Sequence, residues 1–503
     1  MKTLVLFFLA LTVSCFAQET GIDSKSGFDI GKYLGPRFQP DPQYVPGLKS
    51  STRRHLSSVH RWNEIAVDAS GADHAGAREQ LGPGRASRAM AIAHIAMFDA
   101  INAVVRRYEG YADIKAPFGP ISLEVAVAQA AHDTLVALFP SQKAELDALL
   151  QEDLESVRRP LARKNGIILG RRAAAAILAL KAEDGSEIPE PAVGVGHITS
   201  DLPGRWRQDP ISQIPLALGA YWGKCIPFAV ESPSQFRAAP FPDMTSPEYA
   251  ISYNEVKRLG GDGAITPTER TPDQTLAGVY WAYDGTPSLC APPRLYNQIA
   301  VLIADKMRTG PIELARLLAL VNVAMSDATL TCWESKYHYD IWRPVTGIRE
   351  SDPGTGPTGL GDGNAATVGD PTFSPLGAPA SNLNGPNFTP PFPAYPSGHA
   401  TMGGALFQTL RRFYGTDRIP FTFVSDEFNG ITRDNGGNIR PLIPRSFQTL
   451  SQAEEENGQS RIYLGIHWSY DKTAGIAMGR QVADYVFENG FRRVKRGHSD
   501  YKK

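Results

Sequence analysis

Two apolar segments limit what this chain can fold into: ASRAMAIAHIAMFDAINAVVRRY at 86–108 and LARLLALVNVAMSDATLTCWES at 314–335. In the first, Ala, Ile, Met and Phe recur every three or four residues, the period of an α-helix with a buried face. Further helical patterns fall at about 59–68, 121–139, 141–158 and 163–182, and again at 247–258, 272–284, 293–308 and 311–334. The closing ones fall at about 399–414, 446–458, 459–467 and 471–489. Almost nothing alternates with period two except FTFV near 421–424. The fold class is therefore mainly α, with two helical bundles and long connecting loops rich in Pro and Gly. The expected organisation is a signal segment at 1–17, an extended arm at 18–58, a first bundle at 59–245, a second at 246–490 and a basic tail at 491–503, the tail read as a solvated end.

Residues 1–17, MKTLVLFFLALTVSCFA, have a basic start, a short apolar run and a small-residue end. They read as a secretory signal cleaved after Ala17, with lipid attachment at Cys15 as the alternative. No later stretch reads as a membrane span, and the mature protein is expected to be exported and soluble. With 51 Lys+Arg against 52 Asp+Glu, nucleic acid and anionic membranes are poor main partners. Cys225, Cys290 and Cys332 form neither a disulfide framework nor a metal-site spacing, and Cys332 reads as a buried thiol. The irregular stretch 184–245 is too long to be a plain linker and is expected to wrap the surface and shape a site entrance. On the 86–108 helix, His94 and Asp99 read as a satisfied core histidine and a polar contact.

Three short stretches concentrate the chemistry. FPAYPSGH at 392–399 runs into an apolar helix pattern, with Ser397 as N-cap and Gly398 exposing the first free N–H groups to a ligand. His399 stands beside them as a proton donor or acceptor. Alone, this stretch reads first as a capped helix start with a surface histidine. KYHYDIWRP at 336–344 places Lys336 seven residues before Arg343, with Pro344 read as a helix stop. A point charge and a planar fork together suit an oxyanion, and a solvated basic patch is the plainer alternative. SRIYLGIHWSYD at 460–471 sets Arg461 six residues before His467 and Asp471 four after it. A carboxylate at that spacing can fix the imidazole and leave its other nitrogen free as a nucleophile or metal ligand.

Taken in chain order, KYHYDIWRP, PSGH and SRIYLGIHWSYD resemble the signature of the family that joins vanadium-dependent haloperoxidases to type 2 acid phosphatases. Around them PPFPAYPSGHAT, WESKYHYDIWRP, WAYDG at 281–285 and PPRLYNQIA at 292–300 look like a chloroperoxidase branch. The resemblance implies vanadate as cofactor, with His467 bonding vanadium and Asp471 supporting it. Lys336, Arg343, Ser397, Gly398 and Arg461 would neutralise the other oxygens, and His399 would hydrogen-bond the apical oxygen and take a proton from hydrogen peroxide. Lys336 would also polarise the bound peroxide. Trp333 and Phe392 match aromatics lining a halide pocket, and Asp284 an acid that pairs with Arg461. The implied partners are hydrogen peroxide and a halide (chloride, bromide or iodide). The implied activity is oxidation of halide to hypohalous acid by a secreted enzyme. A phosphomonoesterase with His467 as nucleophile is the alternative on the same cage, and an inactive anion-binding protein is a third.

Overall fold

Proline at the first helical position opens six of the helices, where its fixed φ suits the turn and its missing N–H has no partner to lose. The computed structural model describes residues 57–284, 289–379, 387–432 and 439–494. The signal-like segment, Cys15, the arm up to residue 56 and the tail from 495 lie outside the described residues.

Thirteen α-helices are described. The first group comprises α1 (Ser58–Ala75), α2 (Gly82–Val105), α3 (Leu123–Leu138), α4 (Lys143–Ser156) and α5 (Pro160–Leu180). Next come α6 (Pro247–Leu259), α7 (Pro272–Tyr280), α8 (Pro292–Lys306), α9 (Pro311–Tyr339) and α10 (Pro344–Glu350). The last are α11 (Gly398–Tyr414), α12 (Leu450–Tyr463) and α13 (Ser469–Asn489). Two short antiparallel pairs accompany them: β1 (Ala378–Pro379) with β2 (Asn387–Phe388), and β3 (Phe421–Phe423) with β4 (Arg445–Phe447). The FTFV run becomes β3, its Phe421 opposite Phe447.

The main apolar cluster crosses from one half of the sequence to the other: Ile92 and Phe98 of α2 share it with Leu318 and Met325 of α9, Leu406 of α11 and Val482 of α13. By length and composition α2 and α9 pass as membrane spans, contrary to the sequence expectation, but they are apolar because they are central. Their most apolar windows are 83% and 100% buried inside the protein. A second cluster beneath the N-terminus of α11 is aromatic, with Trp333, Trp342, Phe392, Tyr395 and Trp468.

Helices α11 and α13 touch backbone to backbone. A Cβ at Gly475 would lie 2.7 Å from Ser397 O, and one at Gly479 only 2.0 Å from Thr401 O. Small residues allow this approach, and it brings the Ser397 N–H within 3.0 Å of the Asp471 carbonyl. The 184–245 stretch contributes one short 3-10 turn, Trp222–Lys224, and otherwise runs irregularly across α9. There the buried Asp327 carboxylate accepts the N–H groups of Phe228, Ala229 and Val230 at 2.7, 2.7 and 3.0 Å.

Four expectations change. Pro344 opens α10 with Arg343 as its N-cap, whereas α9 ends at Asp340 in a left-handed conformation (φ +55°). Residues 459–467 are not a separate helix. Instead α12 runs to Tyr463, and His467 lies in the turn before α13. The tail begins docked rather than solvated: Phe491 is buried edge-on against Phe98, ring centres 4.9 Å apart. The fourth is the membrane-span expectation for α2 and α9. Cys225, Cys290 and Cys332 are all free and buried. His94 is a satisfied core histidine, bonded to Met90 O and Asn63 Oδ1, and Asp99 caps the N–H groups of Tyr111 and Ala112.

Candidate active site

The three chemistry-bearing stretches meet where the C-terminal end of α9, the N-terminus of α11 and the α12–α13 turn converge. Asp284, Trp333, Phe392, Gly398, His399, Arg461 and His467 line one cleft there, with Pro83, Pro292, Pro390 and Met402, around about 390 Å³ of non-protein space.

His467 is held from both sides. Its Nδ1 lies 2.7 Å from Asp471 Oδ2, which also accepts the Trp468 N–H at 3.0 Å. Arg343 Nη1 donates to Nε2 at 3.0 Å. Nδ1 is therefore the protonated nitrogen and Nε2 carries the lone pair, an assignment made from the partners. Burial, then the positive charges of Arg343, Lys336 and Arg461, keep the imidazole neutral, with its pKa well below the usual histidine value. Burial raises the Asp471 carboxyl to about 7, against the pull of Lys336.

Arg343 also donates from Nε to Phe392 O and from Nη1 to Ile466 O, and burial lowers its pKa to about 10. Arg461 directs Nη2 at both Asp284 oxygens, 2.8 and 2.7 Å away. Burial raises the Asp284 pKa even though Arg461 pulls the other way. Around the cleft, three buried guanidinium nitrogens have no hydrogen-bond acceptor: Arg343 Nη2, Arg461 Nε and Arg461 Nη1. Unsatisfied charged donors in a protein interior are costly and uncommon.

Lys336 is fully buried, and burial lowers its pKa to about 7. Its ammonium donates to the carbonyls of Pro393, Ala394 and Pro396 at 2.9, 2.9 and 2.5 Å. An ammonium has three N–H groups, so contact with an oxyanion requires Lys336 to release one of these carbonyls. Its charge also sits 5.0 Å from the Phe392 ring centre and 5.6 Å from that of Trp333.

Ser397 caps α11 by accepting the Ala400 N–H. Gly398 follows because a Cβ there would lie 3.1 Å from the Trp333 ring. His399 Nε2 is 2.5 Å from Ala282 O and 3.8 Å from Asp284. Since a carbonyl only accepts, Nε2 carries the proton and Nδ1 is the basic nitrogen. Burial, with Arg461 nearby, keeps this ring neutral too. The Trp333 and Phe392 rings form one wall, centres 4.9 Å apart.

Of the residues assigned to the cage from the sequence, Asp284, Trp333, Phe392, Gly398, His399, Arg461 and His467 line this cleft, and Lys336, Arg343, Ser397 and Asp471 are bonded directly behind it. Sequence reasoning missed Tyr296 and Asn457, whose side chains both hydrogen-bond the His399 carbonyl, at 3.0 and 2.9 Å. Tyr296 lies inside the quoted PPRLYNQIA, whereas Asn457 lies three residues ahead of SRIYLGIHWSYD and outside it. Among the described residues no group of three or more His, Cys, Asp or Glu side chains has the arrangement of a metal site. The donor set is that of an oxyanion cage with two imidazoles, His399 and His467.

Residues 316–496 match the model of the VCPO second helical-bundle domain. Vanadium chloroperoxidase from Curvularia inaequalis is 29% identical over 525 aligned positions, covering 86% of this chain and 82% of that protein. The fold is similar to that of the first bacterial vanadium-dependent iodoperoxidase, at 23% identity and a TM-score of 0.67, covering 88% of this chain and 97% of the other. It is also similar to a holo-type bacterial vanadium-dependent chloroperoxidase, at 18% identity and a TM-score of 0.58, covering 90% and 98%.

Proposed function

We propose that this chain, a relative of the vanadium haloperoxidases through its VCPO-type second helical bundle, is an exported enzyme that oxidises halide with hydrogen peroxide to hypohalous acid. The unpartnered guanidinium donors of Arg343 and Arg461 carry this reading. A neutral ligand does not offset the burial of so much positive charge, whereas a tetrahedral or five-coordinate oxyanion offers an acceptor to each donor. His467 Nε2 would supply a ligand atom to vanadate once Arg343 Nη1, which donates to that nitrogen at 3.0 Å, turns to an oxygen of the anion. The residues present therefore fit vanadate, which when bound supplies a Lewis acid that activates hydrogen peroxide towards halide.

The chain's own groups divide the remaining work. Asp471 fixes the His467 tautomer, so that Nε2 faces the cleft unprotonated. Arg343 and Arg461, with Ser397 Oγ and the Gly398 N–H, balance anionic oxygens. His399, neutral and with Nδ1 as its basic nitrogen, would accept the proton that hydrogen peroxide loses as it enters. Trp333 and Phe392 give halide a dry wall close to the Lys336 charge, where a poorly hydrated anion is favoured.

The test is bromination of a dione dye by purified protein at fixed peroxide, with and without orthovanadate. Vanadate-dependent bromination is expected. No bromination, together with vanadate inhibition of phosphate-ester hydrolysis, would overturn the reading in favour of a phosphomonoesterase with His467 as nucleophile. Export is tested by N-terminal sequencing of the mature chain, expected to start at Gln18. Recovery of an intact Met1 refutes it.

A further inference from the structure

The irregular 184–245 stretch touches the cleft at one place, and the contact is built rather than incidental. The Leu218 carbonyl accepts hydrogen bonds from Trp333 Nε1 at 3.0 Å and from the Tyr337 hydroxyl at 2.8 Å. The Leu218 N–H donates to Pro391 O at 2.9 Å, next to Phe392. Gly219 has φ +78°, and a Cβ there would sit 2.0 Å from Trp333 Cδ1, so only glycine fits. At the other edge of the same indole, a Cβ at Gly398 would lie 3.1 Å from Trp333 Cη2. The indole is thus clamped edge to edge between two glycines, one on the loop and one at the first turn of α11.

The loop side of this clamp hangs on one carboxylate. Glu190, its side chain 4% exposed, accepts the Gly219 N–H through Oε2 at 2.5 Å. Its Oε1 takes Arg85 Nη1 at 2.5 Å and Trp222 Nε1 at 3.2 Å. Arg85 belongs to α2, whose Pro83 lines the cleft. One buried side chain therefore ties the strap to a core helix and sets where Gly219 presses on Trp333. Glu190 itself is not among the cleft-lining residues.

We infer that Glu190, acting through Gly219, is the positioning residue that fixes Trp333 as the halide-facing wall of the cleft. This rests on the halide-oxidation reading above. Glu190→Gln keeps the size of the side chain but can no longer accept from all three donors, because one terminal group becomes a donor itself. Losing one buried hydrogen bond corresponds to about a tenfold change in whatever depends on the wall.

The experiment compares wild type and Glu190→Gln with orthovanadate in three measurements: halide KM, orthovanadate Kd, and the indole Nε1–H NMR signal of Trp333 in ¹⁵N-tryptophan-labelled protein, assigned by Trp333→Phe. The expected result is halide KM raised about tenfold with orthovanadate Kd unchanged, and a displaced Trp333 signal. A folded Glu190→Gln protein with the Trp333 signal in place overturns the inference. So does a loss of orthovanadate affinity in parallel with halide KM, which marks general damage. If Glu190→Gln does not fold, Gly219→Ala replaces it: its losses should be partly rescued by Trp333→Phe, and no rescue overturns the inference. Should wild type show no vanadate-dependent halogenation, the functional reading falls while the indole signal still decides whether Glu190 positions Trp333.

Discussion

Replacing Arg461 by alanine removes two of the three unpartnered guanidinium nitrogens around the cleft, Nε and Nη1. A charge-assisted hydrogen bond is worth about 1.5–3 kcal/mol, so two of them amount to about 3–6 kcal/mol, or roughly 10²–10⁴-fold in Kd. The single variant also leaves the buried Asp284 carboxylate without its Arg461 partner, and a negative charge facing an oxyanion would exaggerate the loss. The double variant Arg461→Ala/Asp284→Asn removes that carboxylate charge, so its loss measures the guanidinium alone. The assay is calorimetric titration with orthovanadate, and with phosphate as the plainer oxyanion. Arg258→Ala serves as control, because Arg258 pairs with Glu269 on the surface at 52% and 68% side-chain exposure, where such pairs matter little. A double variant that keeps its helical circular dichroism and loses less than about tenfold in affinity would refute the idea that these nitrogens await an oxyanion.

Two further outcomes follow from the packing and charge of the same region. Lys336 has its pKa depressed by burial from 10.5 to about 7, so between those values the unfolded chain binds the proton that the folded one does not. Its contribution to stability is then present above about pH 10 and is lost as pH falls towards 7. Urea midpoints of the protein without oxyanion should fall over that window, and Lys336→Met should flatten the slope whatever its absolute stability; an unchanged slope contradicts the burial argument. Gly479→Ala forces a Cβ to within 2.0 Å of Thr401 O, so α11 and α13 must part, at about 1–3 kcal/mol or more. The urea midpoint should drop and orthovanadate affinity should weaken with it, since the same contact sets Ser397 against Asp471; an unshifted midpoint refutes the close-packing account.

How far the sequence speaks depends on the range of the signal. Helices with a one-sided apolar repeat are legible because local periodicity and burial agree, as at Gly82–Val105. Proline is ambiguous: Pro344 punctuates a helix boundary, but only the tertiary structure tells whether it ends α9 or opens α10. The cage residues are legible as three local clusters of unusual chemistry. Their supports are not, because Asn457 reaches His399 across 58 positions and Glu190 reaches Gly219 across 29, and neither sits in a motif. The docking of Phe491 on Phe98 is illegible for the same reason, since a basic flank masks a single aromatic anchor.

The proposed oxyanion site is a standing electrostatic imbalance. Lys336, Arg343 and Arg461 are all essentially buried, against two nearby carboxylates, Asp284 and Asp471. Burial raises the pKa of both acids and lowers that of Lys336 and Arg343, so folding disfavours the charged form of each. That pattern is what desolvation without full compensation produces. A bound oxyanion reverses it at one stroke, restoring a negative partner to the unsatisfied guanidinium donors. The same anion should therefore raise the melting temperature by mass action, by about 2.7 kcal/mol of binding free energy at a hundred times its Kd. A site arranged in this way gives up fold stability for guanidinium donors already in place, while Lys336 still has to release a carbonyl when the anion arrives.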